Sequence, residues 1–395
     1  MALGAVVWQI VPAMTFLSQL GRSAVVLMLS VPGVQSAWAG TPREFLPEAQ
    51  LLLANGACGG PAQGAAPVLK LVAAHCKVVT AAQADYRDKW LALARPFFAE
   101  HVPSSLPKTV VYPFAGGDLA TALTVFPDAD EITTLSLEPA GDPRGMASLK
   151  TGPLKKALAT AATELSSLYR DNYSVTMNMI GAMRGSAIST QLLFGLSALW
   201  VHGYELVGMR YFTIGETGEV EYFDDAAVAA IDARKLETGK RNAAFGSVEI
   251  RFRKKGSTRE QVYRHVQANL DDAHIKKAGG TLKYLEKKGK VAAMTKAASY
   301  LLTFNDFGLM RKYLVDNAQW MVSDSTGLGP KYGKPAGFVY ETYGKFDATN
   351  MPVGDSITPF WKTEYKAQPA RELKFRFGYP DRKNSNHLII MRRAQ

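Results

Sequence analysis

The feature that most constrains the fold is a strand, turn, helix and strand pattern between residues 109 and 138. Residues 109–114 are mainly β-branched and aromatic, and the two glycines within residues 115–118 predict a tight turn directly after that strand. Residues 119–126 carry apolar side chains at helical spacing, and a second strand-like run ends on Glu138. This order is half of a nucleotide-type βαβ unit, so we expect parallel strands with covering helices.

The remaining sequence extends this pattern into an α/β fold. Helical periodicity within residues 40–107 predicts an N-terminal helical annex, which Pro103 and Pro107 close. Residues 108–395 are predicted to form one Rossmann-like domain, with a mostly parallel sheet, helices on both faces and some antiparallel strands toward the C-terminus. Further strands are predicted at residues 204–214, 219–223, 247–254, 262–270, 319–322, 373–377 and 387–391.

Residues 1–39 have the layout of a secretory signal peptide. Arg22 precedes an almost wholly apolar run over residues 24–31, and Ala37 and Ala39 supply the small residues of a cleavage site. An uncleaved membrane anchor is the alternative, but this apolar run is shorter than the ~20 residues that a span needs. We therefore expect an exported protein, periplasmic or secreted, with no transmembrane span after cleavage.

Cys58 and Cys76 are the two cysteines of the chain, and both lie in the predicted mature part. Because an oxidising compartment favours pairing, we expect one disulfide between them. A metal site that uses His75 beside Cys76 is the alternative, but the sequence offers no further cysteines or histidines at ligand spacing. No metal is therefore predicted.

The chain is basic, with a formal net charge of +11. The positive residues are concentrated in residues 251–255, 276–290 and 371–393. Basic patches attract phosphates, and the polyanions near an exported protein are envelope components. Aromatic residues are not interleaved with the lysines as a nucleic-acid groove requires, so nucleic acid is not an expected partner. A solvated basic surface without a partner is the other interpretation.

The unit over residues 109–138 resembles the first βαβ of class I S-adenosylmethionine methyltransferases, which place glycines after the first strand and an acid at the end of the second. The resemblance implies that Gly116 and Gly117 let the backbone approach a cofactor and that Glu138 binds its ribose hydroxyls. The separation of Gly117 and Glu138 matches the ~20 residues expected for such an acid. S-adenosylmethionine is the cofactor that this resemblance implies.

A second resemblance extends over much of the predicted mature chain. The residues Tyr112-Pro113-Phe114, Asp118, Leu137-Glu138-Pro139 and the segment 296–300 are similar to those of exported bacterial proteins that carry no assigned activity. S-adenosylmethionine is a cytoplasmic metabolite, so an exported enzyme has no evident supply of it. We therefore expect a methyltransferase-like scaffold that binds or processes another small polar ligand, with live methylation and a non-catalytic binding or structural role as alternatives.

Three further residues are candidates for chemistry at the strand ends. Asp118 follows the glycine turn, and Asp324 and Ser325 follow the predicted strand 319–322. One hypothesis is that three acids, Asp118, Glu138 and Asp324, converge at the strand ends and hold a ligand hydroxyl, a cation or a sugar. Helix capping is the simpler interpretation of Asp118. Ser325 with Asp324 and an unidentified histidine is a hydrolase hypothesis, and a capped turn is its alternative.

Overall fold

A ten-stranded mixed sheet organises the computed structural model, which describes residues 40–171, 188–346, 358–377 and 386–394. The predicted signal peptide lies outside the described residues. The strand order is β4-β3-β5-β6-β2-β1-β7-β8-β10-β9. The strands are β1 (Thr109–Pro113), β2 (Glu131–Ser136), β3 (Tyr204–Ile214), β4 (Val220–Tyr222), β5 (Ser247–Lys254), β6 (Glu260–Gln267), β7 (Val291–Thr295), β8 (Ala318–Ser323), β9 (Phe338–Lys345) and β10 (Asn386–Arg393).

Helices cover both faces of this sheet. Val110 and Val111 are neighbours in β1, yet Val110 belongs to one buried hydrophobic cluster and Val111 to a second, because successive side chains of a strand point to opposite faces. The α-helices are α1 (Leu46–Asn55), α2 (Ala66–Asp85), α3 (Ala92–His101), α4 (Leu119–Val125), α5 (Gly145–Ser148), α6 (Thr151–Asp171), α7 (Thr190–Val201), α8 (Asp225–Ala233), α9 (Thr238–Ala244), α10 (Asp272–Lys277), α11 (Gly280–Glu286), α12 (Gly308–Asn317), α13 (Pro330–Gly333) and α14 (Thr358–Lys366).

The two clusters assign the helices to layers. Helices α1 to α4, α6 and α7 contribute to the cluster that contains Val110, and helices α10 to α12 and α14 contribute to the one that contains Val111. The segment predicted as an N-terminal annex therefore packs into the same core as the sheet. The prediction of an α/β fold is confirmed, while the domain boundary at residue 107 stays a prediction.

Parallel pairing is confined to the centre of the sheet. Strands β6, β2, β1, β7 and β8 are parallel to their neighbours in this central group. The flanks β4-β3-β5 and β10-β9 pair antiparallel, and they join the centre through antiparallel β5–β6 and β8–β10 contacts. A mostly parallel sheet is therefore not confirmed. Residues 215–218 illustrate the reason, because they join β3 to β4 and a connection this short can join only antiparallel strands.

The βαβ unit predicted around the glycine turn is present. Strand β1, helix α4 and strand β2 follow each other, and β1 and β2 pair in parallel from Thr109 opposite Glu131 onward. Helix α4 begins after Asp118, whose carboxylate accepts a hydrogen bond from the backbone N–H of Thr121. The capping role predicted for Asp118 is therefore observed.

Two parts of the strand prediction differ from the structure. Strands β7 and β9 are absent from the prediction, and the segment predicted as a strand at residues 373–377 is irregular. Its alternating side chains Leu373, Phe375 and Phe377 are buried, but the Asn386 side-chain amide bonds the backbone of all three. Burial of every second side chain therefore gives residues 373–377 a strand-like sequence pattern, although no described strand pairs with this segment.

Candidate functional site

Several chemistry-bearing residues emerge at one edge of the central parallel strands. Strands β1, β7 and β8 end at Pro113, Thr295 and Ser323, and parallel strands bring their carboxyl ends to the same edge of a sheet. Phe114 and Ala297 lie just beyond two of these ends, each with a φ of 57° in the left-handed region. Non-glycine residues held there cost about 1–3 kcal/mol each and cluster at functional sites.

A buried ion pair links the first of these strand ends to the second. The Lys296 Nζ donates to Asp118 Oδ2 at 2.7 Å, and neither side chain is accessible to solvent beyond 3%. Asp118 also accepts hydrogen bonds from the hydroxyls of Tyr112 at 3.0 Å and Thr121 at 2.6 Å. The ammonium lies 5.4 Å from the ring centroid of Phe377. The Asp118 carboxylate is thus held by structural partners.

Asp324 is also held within the protein. Its carboxylate accepts hydrogen bonds from the backbone N–H groups of Ala297 at 3.1 Å and Thr326 at 2.8 Å. Complete burial raises the pKa of Asp324, while these bonds and the charge of Lys296 oppose that shift. Asp118 and Asp324 therefore lie around one lysine, and both are occupied by local contacts.

Ser325 contacts a histidine, His387, near the start of β10. Its Oγ lies 2.6 Å from His387 Nε2, and both side chains are buried. Strands β8 and β10 pair antiparallel with Ser323 opposite Ile389, and Ser325 and His387 each lie two residues beyond that pair. Burial lowers the pKa of His387 to about 4, so its imidazole is neutral at neutral pH. Its Nδ1 has no hydrogen-bond partner among the described residues, so Asp324 does not orient it.

The glycine turn packs under helix α7. A Cβ on Gly117 would lie 2.1 Å from Cδ2 of Phe194, which makes glycine necessary there. Gly116 adopts a φ of 51°, and its carbonyl accepts a hydrogen bond from the Gln191 amide at 2.8 Å. The Gly117 side of the turn therefore contacts a helix, rather than lying open for a ligand.

Gln191 connects the turn to Glu138 through a histidine. The His265 Nε2 lies 2.7 Å from the backbone carbonyl of Glu138, so this nitrogen carries the proton and donates. The His265 Nδ1 therefore accepts, and the Gln191 amide donates to it at 3.1 Å. Burial lowers the pKa of His265, in agreement with a neutral ring. The glycine turn and the end of β2 form one hydrogen-bonded unit.

The carboxylate of Glu138 stands apart from the other buried acids. The residue is 4% exposed, yet neither Oε1 nor Oε2 has a hydrogen-bond partner among the described residues. The Gln191 Oε1 and the Ser136 Oγ are buried and unpartnered in the same sense. Buried polar groups are normally bonded, and an unpartnered one needs an explanation such as a ligand or an ion. Each of these four oxygens can accept a hydrogen bond, so each matches a group that donates one.

Some residues of the site could be predicted from the sequence, and others could not. The structure brings Asp118 and Asp324 to Lys296, whereas Glu138 contacts His265, so the three acids do not share one set of contacts. The roles of Gln191, His265 and His387 were missed, because each lies far along the chain from its partner. A polar residue within an apolar helix, as Gln191 is in α7, was the available signal.

The predicted disulfide is confirmed. Cys58 and Cys76 are joined, with Cα atoms 5.4 Å apart. Their sulfurs and a ring nitrogen of His75 lie within 4.8 Å of one another, but the bonded sulfurs are not thiolate ligands. The His75 Nε2 instead donates to the carbonyl of Gly56 at 2.7 Å. The three residues that suggested a metal site thus form a disulfide and a hydrogen bond to the backbone.

Ion pairs neutralise part of the predicted basic surface. Arg251 pairs with Glu44 at 3.3 Å and Arg253 pairs with Glu205 at 2.5 Å. In the second segment Lys287 and Lys288 contact Glu219 and Glu131, respectively. These contacts reduce the positive charge that either segment offers to a polyanion.

Comparison with protein-family models, curated proteins and solved structures finds no match to this chain. Within the described ranges, no helix is both long and apolar enough to cross a bilayer.

Proposed function

We propose that this chain is an exported envelope protein that binds a small polar ligand at the carboxyl ends of its central parallel strands. The scaffold in this proposal is Rossmann-like and related in design to methyltransferases, and the parallel order β6-β2-β1-β7-β8 supports it. The observation that carries the proposal is the buried carboxylate of Glu138, which has no hydrogen-bond partner among the described residues. The backbone carbonyl of Glu138 is linked to the glycine turn through His265 and Gln191.

The chemistry of the site favours a ligand with adjacent hydroxyl groups. The two oxygens of Glu138 require donors, and a carboxylate that follows the second strand of a βαβ unit is suited to a vicinal diol. The Gln191 Oε1 offers a further buried acceptor, and the amide nitrogen of the same side chain bonds the turn. A sugar or a nucleoside has this arrangement of donors, and an organic ammonium ion is the other donor that a carboxylate attracts.

The test is calorimetric titration with matched pairs of diols and deoxy compounds. Ribose and adenosine are compared with their 2-deoxy counterparts, and glucose and mannose extend the series. We expect one diol to bind at least about tenfold more tightly than its deoxy form and to lose that advantage in Glu138→Gln. The variant Glu237→Gln, at an exposed glutamate, is the matched control. Equal binding of diol and deoxy forms would remove the proposal.

Methylation and polyanion binding are the alternatives from the sequence. S-adenosylmethionine carries a ribose diol that Glu138 suits, so a thermal shift with this cofactor together with methyl transfer to an acceptor would favour an enzyme. Retention of lipopolysaccharide by the basic segments, unchanged in Glu138→Gln, would favour a non-catalytic envelope protein.

A hydrolase is a second candidate function because Ser325 and His387 lie 2.6 Å apart. In such a reaction the Ser325 Oγ attacks an acyl carbonyl while the His387 Nε2 takes its proton. The bond to the leaving group then breaks, the His387 imidazolium returns the proton to that group, and water hydrolyses the acyl-serine to regenerate the Ser325 hydroxyl. Labelling with a fluorophosphonate tests this directly. Modification of the wild type that disappears in both Ser325→Ala and His387→Gln supports a hydrolase, and an unlabelled folded protein rejects it.

A further inference from the structure

A cavity of about 570 Å³ lies at the opposite edge of the sheet from the residues described above. Lys108 precedes β1 and Asp128 precedes β2, so both mark the amino ends of parallel strands. Lys254 ends β5, which is antiparallel to β6 and therefore ends at the same edge. The volume is typical of small-molecule sites.

The inner wall of this cavity is apolar. Buried side chains from the sheet, from α3 and from the βαβ unit line it, and the loop between α3 and β1 contributes half-buried apolar residues. The wall includes Phe98, Val110, Leu123, Phe126, Val102 and Leu106. Burial of a hydrocarbon group against this wall favours binding by about 25 cal/mol per Å² of apolar surface removed from water.

The rim of the cavity is positively charged. Arg95, Lys108 and Lys254 line it, each is exposed, and none makes an ion pair with another described residue. This differs from Arg251 and Arg253 of the same strand β5, which are both paired. The acid that lines the cavity, Asp128, lies 3.9 Å from the guanidinium of Arg259.

A neutral histidine also lines the cavity and contacts one residue of the charged rim. The Arg95 guanidinium donates to His202 Nδ1 at 3.3 Å, so this nitrogen is an acceptor. Burial lowers the pKa of His202 to about 3, and the charge of Arg95 adds to the shift. His202 therefore adds no positive charge. The positive charge of the described lining residues comes from Arg95, Lys108 and Lys254.

We propose that this cavity binds an alkyl carboxylate, with the hydrocarbon chain on the apolar wall and the carboxylate among Arg95, Lys108 and Lys254. Charge complementarity and an apolar interior select an amphiphile over a polar metabolite or a neutral oil. The guanidinium of Arg95 offers paired donors that match a carboxylate, and the two lysines add positive charge. This site is independent of Glu138 and of any ligand at the glycine turn.

Calorimetric titration of the exported chain tests the proposal with decanoate, decanol and acetate, each below its micelle concentration or solubility limit. We expect saturable binding of one decanoate per chain, at least about tenfold weaker binding of decanol and no binding of acetate. Raising the salt concentration weakens decanoate binding and leaves decanol binding unchanged, because salt screens exposed charges. This salt comparison needs no variant.

Variants then assign the binding to the cavity. The double variant Lys108→Ala/Lys254→Ala weakens decanoate binding about tenfold or more, whereas Lys276→Ala/Lys277→Ala, at two exposed lysines of α10, leaves it unchanged. Val102→Trp fills the cavity and abolishes binding of decanoate and decanol alike. Equal affinities for decanoate and decanol, equal losses in both double variants, or no saturable binding would each overturn the proposal.

Discussion

Two buried charged groups near the strand ends differ in their partners. Asp118 accepts from Lys296, Tyr112 and Thr121, while Glu138 has a buried carboxylate without a hydrogen-bond partner among the described residues. A buried charge is tolerated when it is paired and bonded, and it is costly otherwise. The Asp118 network is therefore expected to stabilise the strand ends, and the Glu138 carboxylate is expected to destabilise the ligand-free protein.

The first prediction concerns the buried pair. Lys296→Met leaves the Asp118 charge without its cation, so we expect the free energy of unfolding to fall by about 3–5 kcal/mol. Asp118→Asn keeps a capping side chain at the start of α4 but removes the charge. Urea denaturation of the single and double variants should show that the double variant loses less than the sum of the singles. Additive losses would mean that the two charges do not interact, and Lys276→Met at an exposed site is the control.

The second prediction concerns the unpartnered acid. Glu138→Met keeps a side chain of similar length and removes both unpartnered oxygens, so we expect the free energy of unfolding to rise by about 1–3 kcal/mol. Glu249→Met is the matched control, because Glu249 is equally buried but bonds Arg210 and Arg264. Glu249→Met should lower the free energy of unfolding by about 3–5 kcal/mol, because it leaves the two arginines without their carboxylate. A loss of stability in Glu138→Met would show that this carboxylate has a structural partner in solution.

At the scale of elements, helix α7 holds the glycine turn in place. Gln191 bonds the Gly116 carbonyl, and Phe194 occupies the position where a Cβ of Gly117 would lie. One helix therefore fixes both the backbone of the turn and the histidine that bonds Glu138. This explains why a turn that resembles a cofactor loop is packed against protein.

The third prediction follows from that contact. Gly117→Ala places a methyl group 2.1 Å from Cδ2 of Phe194, so we expect an overpacking loss of about 1–3 kcal/mol. The same substitution in a Phe194→Ala background should cost less, because the opposing ring is absent. Thermal denaturation of the four proteins measures the difference. Gly152→Ala is the control, since among the described residues no heavy atom other than those of its chain neighbours and its own helix backbone lies within 4 Å of the added Cβ.

Local pattern explains which elements the sequence could predict. The run from β1 to Glu138 is continuous in sequence, and β3 and β5 have the bounds that their side-chain pattern predicts. Strand β7 was missed because it is buried on both faces and shows no alternation over Val291–Thr295. The segment 373–377 was wrongly predicted as a strand, because alternating burial does not reveal whether a partner strand bonds its backbone.

The candidate site was less predictable than the elements that carry it. Its acids follow predicted strands and could be named, but the pairing of Asp118 with Lys296 joins residues 178 positions apart. The histidine of Ser325 is 62 positions away and lies beside it only because β10 pairs with β8. Spacing along one chain does not encode such contacts, since they depend on strand order.

At the scale of the whole molecule, buried histidines make stability depend on pH. Burial lowers the pKa of His75 and His265, and it lowers the pKa of His202 to about 3 and of His387 to about 4. These rings stay neutral in the folded protein, whereas an unfolded histidine takes up a proton below about pH 6.5. The unfolded state therefore binds more protons below that pH, and stability falls as pH falls.

The fourth prediction is this acid dependence. His387 alone should account for about 3 kcal/mol between pH 6.5 and 4, which His387→Gln removes. Asp324 acts in the opposite direction, because its raised pKa lets the folded state keep a proton just above the usual value. Urea denaturation from pH 7 to pH 4 measures the slope. A stability that is flat over this range, or a slope unchanged in His387→Gln, contradicts the prediction.

The proposed function requires a ligand that the Glu138 carboxylate holds at the carboxyl ends of the central strands. Native mass spectrometry of the protein purified from the exported fraction tests this most directly. We predict the mass of the chain from Gly40 with one disulfide, plus a small diol-bearing molecule that is absent from Glu138→Met prepared in the same way. A folded wild type without any added mass, or the same added mass in Glu138→Met, would contradict ligand binding by Glu138.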